Sequence, residues 1–366
     1  MPRTTRALAA GTACVALSLS LAACDSEVRS ENAVAGDDVR FQVDRQWPQP
    51  FPANWVPGDV TGIAVDGRDH TWVVTPPDSL TTEERAAGGD DPIRLPTVVE
   101  LDPDGRVVQT WPVPAGELAW PVTPHGIFVD HTDHVWVGYR DDHRVVKFTR
   151  AGEHVLTIGE KDVTGGSNDP DRLGAPAGIW VDPETNEAYV ADGYRNRRVV
   201  VYDGATGAYL RHWGAYGERP DDSYVFDPEV EGDAPARQFS TAHGITGSRD
   251  GKIYLADRRN GRVQVFGQDG AFIEERILPP TGGESASIYD VALSNDDGQR
   301  LAFVADGNGK VWILERNGLD VVGEIGSSGR EPGQFTTPHN LAMDSRGVLH
   351  VADAQGRRIQ RFRPGG

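Results

Sequence analysis

"GQFTTPHNLAMDSRGVLHVADAQGRRIQRF", residues 333–362, holds the pattern that decides the fold. Apolar positions alternate through Leu341 and Met343, a turn follows at Ser345-Arg346-Gly347, and a second apolar run ends in "VAD". Alternation broken by turn residues is the mark of short antiparallel strands, because successive side chains on a strand point to opposite faces. The same unit opens at Gly58 ("GDVTGIAVDGRDHTWVVT"), Thr123 ("TPHGIFVDHTDHVWVGY") and Ala175 ("APAGIWVDPETNEAYVAD"). It opens again at Thr241 ("TAHGITGSRDGKIYLAD") and Ser287 ("SIYDVALSNDDGQRLAFVAD"). A third strand such as "RVVKF", "RVQVF" or "KVWIL" and a fourth such as "HVLTIG" or "VVGEIG" follow most of these units.

Six units of four short strands predict an all-β chain folded as a six-bladed β-propeller, since one unit alone cannot bury both of its faces. The sixth unit stops at Phe362, one strand short. The segment "VRFQVDRQW", Val39 to Trp47, is a spare strand near the other end. The expectation is that this N-terminal strand completes the last blade and closes the ring, which removes an exposed sheet edge.

Composition narrows the function. The net charge of −19 argues against nucleic acid and anionic membrane surfaces as partners. The only cysteines are Cys14 and Cys24, so the repeats carry no disulfide and no thiolate metal site. Any metal must be held by His, Asp, Glu or backbone oxygen. Arg3 and Arg6 precede an apolar run too short for a confident membrane span, which ends in Leu21-Ala22-Ala23-Cys24. That resembles a bacterial lipoprotein signal. The expected organisation is a signal peptide over 1–23, a lipidated Cys24 and flexible tether over 24–38, and the propeller over 39–366. The expected state is a monomer outside the cytoplasm, held to the cell membrane by the lipid on Cys24.

Because the units repeat, their residues can be compared rank by rank. The Asp of "VAD" (Asp192, Asp257, Asp306, Asp353) and a following base (Arg144, Arg198, Arg262, Lys310, Arg358) recur, so they are assigned to holding the blades. The rank just before the inner strand varies instead: Thr61, His125, Ala177, His243, Tyr289 and His339. Inner strands line the central channel, and alternate blades of a six-fold ring are related by three-fold symmetry. Three imidazoles therefore converge on the axis, the ligand set of a catalytic zinc with an open position. His70, His131, His134, His143, His154, His212 and His350 fall at other ranks and are read as surface or packing residues. Tyr194 in "ADGYRNRR" and Arg258 in "LADRRNGRV" follow second strands at the same level. Both project over the mouth that holds the histidines, one as a candidate general base and the other as an anion holder.

The settings "PHGI" at His125, "AHGI" at His243, "PHNL" at His339, "ADGY" at Tyr194 and "ADRRNGRV" at Arg258 resemble the lyase domain of peptidyl-α-hydroxyglycine α-amidating lyase, an NHL-repeat propeller. The resemblance implies zinc on the three histidines, Tyr194 as base and Arg258 steadying a carboxylate or carbonyl. It also implies calcium in the channel, on the backbone carbonyls of Ile63 and Ile127 and on Asn340. The implied reaction cleaves the N–C bond of a C-terminal α-hydroxyglycine to give a peptide amide and glyoxylate. Three departures stand out. The family's blade-one arginine is missing from "VVTPPDSL", Asn340 replaces a calcium-binding Asp, and the family's disulfides are absent. An uncharged amide at Asn340 weakens a calcium site. The competing reading is a non-catalytic propeller that grips a protein or glycan of the cell envelope, with Thr75–Pro96 as its contact segment. A sugar-lactone hydrolase is a weaker third, because such sites favour carboxylate and Asn ligands.

Overall fold

A computed structural model describes residues 40–52, 55–87, 93–231, 234–282 and 286–365. The segments expected to be a signal peptide and a tether, with Cys24 between them, lie outside the described residues. Six four-stranded sheets follow one another along the chain, each antiparallel throughout. Blade one is built from Gly62–Val65, Thr71–Val74, Val98–Leu101 and Val107–Thr110. The innermost strands of blades two to six are Pro124–Val129, Ile179–Val181, Ala242–Gly247, Ile288–Leu293 and Pro338–Met343. Blade six takes its outermost strand, Phe41–Val43, from the start of the chain, in register with Arg358–Pro364 (Phe41 opposite Pro364, Val43 opposite Phe362). The expected closure is observed. Two elements lie outside the blades: a short helix, Thr82–Ala87, and a two-stranded parallel ribbon of Trp55–Val56 with Ile93–Arg94.

Burial follows position within a blade. Second and third strands such as Thr71–Val74, Val135–Tyr139 and Arg144–Phe148 are buried along their whole length. They lie between neighbouring blades, so both faces must be apolar and strict alternation gives way to Val-rich runs. Outermost strands such as Val107–Thr110 and His154–Ile158 stay largely exposed. Adjacent sheets share their cores: Trp72, Val74 and Val98 of blade one pack with Ile127, Val137 and Phe148 of blade two. The closing seam joins Ala352 and Ile359 to Val73, Val99 and Leu101 through Trp47. Burying each large side chain contributes about 1.5–3 kcal/mol.

The recurrent acid and base act as expected in three blades. Arg198 binds Asp192 at 2.9 Å, Arg262 binds Asp257 at 2.8 Å and Arg358 binds Asp353 at 3.2 Å. The other carboxylate oxygen caps a backbone N–H ahead of the inner strand: Gly174 on Asp192, Ser240 on Asp257 and Thr337 on Asp353. Each pair thus anchors the segment leading into the channel-lining strand. Two blades differ. Lys310 turns to Glu324 at 2.6 Å while Asp306 takes Thr281 and the Trp312 indole. Tyr139 stands where blade two should have the Asp, so Arg144 pairs with Asp142 at 2.7 Å.

Candidate metal centre

The three histidines sit where inner strands begin, at or next to β-bulges. Pairing slips between His125 and Ile127, between Ala242 and Ile245, and between Pro338 and Asn340. An extra residue bends a strand and re-aims a side chain, and here it turns the imidazoles toward the axis. Gly126 has φ +70°, and a Cβ there would lie 2.2 Å from the Ala177 carbonyl oxygen. Only glycine allows the approach. The ring centroids of His125, His243 and His339 lie 4.8, 4.8 and 4.9 Å apart, and one ligand nitrogen of each falls within 4.8 Å of the others. All three are buried.

Each ring leans on the backbone of the next blade. His243 Nδ1 donates to the Tyr289 carbonyl at 2.6 Å. The Thr61 carbonyl holds the same place beside His339, whose Nδ1 also meets Asn340 Oδ1 at 2.7 Å. The Ala177 carbonyl lies beside His125 off the line of a good bond, so that Nδ1 is buried without an aligned partner. Thr61, Ala177 and Tyr289 are the residues that share the histidines' rank in the other three blades. A proton held on Nδ1 leaves Nε2 free as a ligand. The Tyr194 hydroxyl lies 3.1 Å from Nε2 of both His125 and His243, closing the triangle from above.

Electrostatics suits a cation. Burial, then repulsion among the histidines themselves, holds His125 and His243 well below the ordinary imidazole range. Burial brings His339 down to about 4, against the pull of its bond to Asn340. The three rings are neutral at neutral pH, the form a metal needs. Burial pushes the Tyr194 phenol up, and the Arg258 and Arg140 guanidiniums pull it back only in part. In the metal-free site Tyr194 is a phenol.

Arg258 lies near the same histidines, whose imidazoles feel its charge. Its guanidinium lies 4.0 Å from the centre of the Tyr289 ring and bonds the Tyr289 hydroxyl, while its Nε is buried without a partner. Sequence reading missed Arg140, whose guanidinium lies 4.9 Å from the centre of the Tyr194 ring. It also missed Tyr289 and Asp290. The signal for Arg140 was present: it follows the last residue of its second strand as Arg258 does in blade four, since Pro124 pairs with Tyr139 and Ala242 with Asp257.

Deeper in the channel, Ile63, Ile127 and Asn340 line a common cavity of about 200 Å³ together with Asp290. Asn340 turns its oxygen to His339 and gives its amide N–H to Asp290 at 3.1 Å. Leu341 and Val291 donate backbone N–H groups to the same carboxylate at 2.9 Å each, and burial pushes Asp290 up to about 7. Asp290, on the inner strand of blade five, thus sets a carboxyl group beside the uncharged amide of Asn340. Of the remaining histidines, His350 is buried edge-on to Trp47 and His143 is buried, whereas His70 meets Glu100 at 2.6 Å. The start of the Thr75–Pro96 segment is fastened to blade six, where Arg357 donates to the Ser79 carbonyl at 2.7 Å and to Glu84 at 2.6 Å.

Comparison with known proteins agrees with this geometry. The NHL repeat family profile matches residues 239–266. Peptidyl-glycine alpha-amidating monooxygenase B of Xenopus laevis is 27% identical over 360 residues, covering 92% of this chain and 37% of that protein. The chain therefore spans little more than a third of that relative's length. Peptidyl-alpha-hydroxyglycine alpha-amidating lyase 1 of Drosophila melanogaster is 26% identical over 344 residues, covering 85% of this chain and 58% of that protein. NHL repeat-containing protein 3 of Mus musculus is 26% identical over 349 residues, covering 90% and 85%. Among solved structures, a streptogramin B lyase superposes with a TM-score of 0.52 at 13% identity over 90% of this chain and 99% of that one, a likeness of fold alone. The chain is a six-bladed NHL-repeat propeller homologous to the amidating lyases, with three histidines gathered into a site compatible with a metal ion.

Proposed function

We propose that this chain is a zinc-dependent lyase of the amidating type, which splits the N–C bond of a C-terminal α-hydroxyglycine into an amide and glyoxylate. The observation that carries the reading is the meeting of three neutral, buried imidazoles with the Tyr194 hydroxyl, 3.1 Å from two of them. His125, His243 and His339 would hold the zinc, which when bound would supply Lewis-acid chemistry to acidify the substrate hydroxyl. The chain's own groups do the rest. Tyr194 Oη, as the phenolate, takes the proton from the substrate hydroxyl, the pair this leaves on oxygen forms the new C=O bond, and the C–N pair leaves on nitrogen. The same Tyr194 proton passes to that nitrogen, so the phenolate is regenerated and the atoms balance. Arg258, with a buried Nε free to donate, holds the charge of the carboxylate.

Calcium belongs to the channel in this reading. Ile63 and Ile127 line it, and Asp290 is a buried carboxylate whose partners are N–H donors rather than a cationic side chain. The protein acts as a monomer outside the cytoplasm on a small molecule or peptide, held to the membrane by a lipid on Cys24.

Metal analysis of protein purified without chelator comes first, and about one zinc per chain is expected. Glyoxylate release from a peptidyl-α-hydroxyglycine then tests the chemistry. Tyr194→Phe should lower its rate by about 10²–10⁴ while zinc stays bound, the range for loss of a general base. An unchanged rate refutes the assigned base. The second reading, a non-catalytic envelope-binding propeller, draws support from Thr75-Pro76-Pro77-Asp78, which stands where the family's blade-one arginine belongs. Full zinc without glyoxylate favours it.

A further inference from the structure

We propose that Arg140 is a substrate-positioning residue, which with Arg258 forms a two-guanidinium clamp for a carboxylate beside Tyr194. The inference rests on the lyase reading for its substrate, but the anion site is a separate physical claim. Arg140 and Arg258 share one rank, on blades two and four, and Tyr194 comes from blade three between them. The same rank holds Pro76, Gly307 and Ala354 in blades one, five and six, so those blades bring no charge to it. Both guanidiniums act on the same groups: their fields reach His125, His339 and Tyr194.

Arg140 is a cation paired along one edge, where Nε and Nη2 both lie 2.9 Å from Asp141 Oδ1. Nη2 also donates to Thr123 Oγ1 at 3.1 Å. These contacts fix the plane of the fork while the side chain keeps about a quarter of its surface exposed (26%). Arg258 is stacked on Tyr289 and retains its unpartnered Nε. Three neutral imidazoles, a phenol and two guanidiniums facing one mouth leave an excess of positive charge, with Asp141 as the carboxylate paired to Arg140. A planar carboxylate suits such forks, since each can give it parallel N–H donors. The cation that "VVTPPDSL" lacks in blade one is thus supplied from blade two.

Hippurate tests the clamp, because it carries the carboxylate and acyl amide but no hydroxyl to react; hippuramide is its uncharged counterpart. Calorimetric titration of the zinc-loaded protein should show hippurate binding at least about tenfold more tightly than hippuramide, a difference of ~1.4 kcal/mol. Arg140→Gln should reduce hippurate to the level of hippuramide with zinc content and Tm unchanged, and Arg140→Lys should recover part of the loss. With α-hydroxyhippurate as substrate, Arg140→Gln should raise KM about tenfold with kcat altered less than about threefold, the signature of lost binding shared by ground and transition states. Wild-type affinity for hippurate in Arg140→Gln overturns the proposal, as does a wild type that does not prefer hippurate. If α-hydroxyhippurate is not cleaved while hippurate binding still depends on Arg140, the lyase reading fails and the anion clamp stands.

Discussion

Among the described residues, two places in this propeller gather three potential metal ligands, and they differ in what stands among them. At the channel mouth, His125, His243 and His339 face each other with no cationic side chain bonded to them. On the seam of blades one and two, Asp66, His70 and Glu100 come equally close, but the Arg150 guanidinium fills the space. It donates to Asp66 at 2.6 Å and to Glu100, and lies over the Trp72 ring. Asp66 also accepts the Trp72 indole N–H at 3.0 Å. The second cluster is an ion-pair network that already contains its cation. Proximity of ligand types does not make a metal site; neutral ligands that lack an internal cation do.

The largest effect expected from this contrast is on metal. His243→Ala should abolish zinc retention through gel filtration and glyoxylate release with it, whereas His70→Asn should leave zinc at the wild-type level by plasma mass spectrometry. Zinc lost from the His70 variant instead would exchange the roles of the two clusters. Next comes stability: Arg150→Met leaves two buried carboxylates without their cation and should cost about 3–5 kcal/mol in denaturant unfolding. A loss under about 1 kcal/mol would mean that water or a bound cation already shares the load.

Acid should separate the two clusters further. Unfolded imidazoles titrate near 6.5, while His339 folds with a value of about 4 and His125 and His243 lie well below their ordinary range. Between these limits the unfolded chain binds more protons, so metal-free stability is full above about pH 6.5 and is lost as pH falls toward 4. Asp290, raised to about 7, works in the opposite sense over the same window, as do Asp257 and Asp59, while the lowered His143, His212 and His350 add to the slope of the three site histidines. The Tm of metal-free protein should therefore fall between pH 6.5 and 4, and replacing all three histidines with Gln should flatten that slope. The smallest effect concerns the channel. At about ten times its dissociation constant calcium should add ~1.4 kcal/mol to stability, and Asp290→Asn should remove that increment. An increment that survives the substitution would place calcium elsewhere.

Much of this molecule was legible from repetition. Six units in one chain act as an internal alignment, so the Arg–Asp pins at Asp192, Asp257 and Asp353 and the alternation at Thr61, His125, Ala177, His243, Tyr289 and His339 could be read by rank. The exceptions arose where one substitution moved a partner. Tyr139 in place of an Asp sends Arg144 to Asp142, and Glu324 draws Lys310 from Asp306. Arg140 is equally readable by rank, since it follows the second strand of blade two as Arg258 follows that of blade four. Asp290 was readable in the same way, for it shares with Asn340 a rank that Gly62, Gly126, Gly178 and Gly244 hold in the other blades.

Sequence alone determined the all-β class, the six blades, the N-terminal strand that closes the ring and the three histidines that share a rank. Those features follow from local periodicity and from copies of one unit, which need no knowledge of distant contacts. Only the tertiary structure decided which groups meet across blades. It set Tyr194 over two imidazoles, ran each imidazole onto the backbone of the next blade, put Arg140 beside Tyr194 and placed Asp290 under Asn340. Such contacts depend on how far each bulge turns a strand and on the angle at which neighbouring blades close, and neither quantity is written in any one repeat.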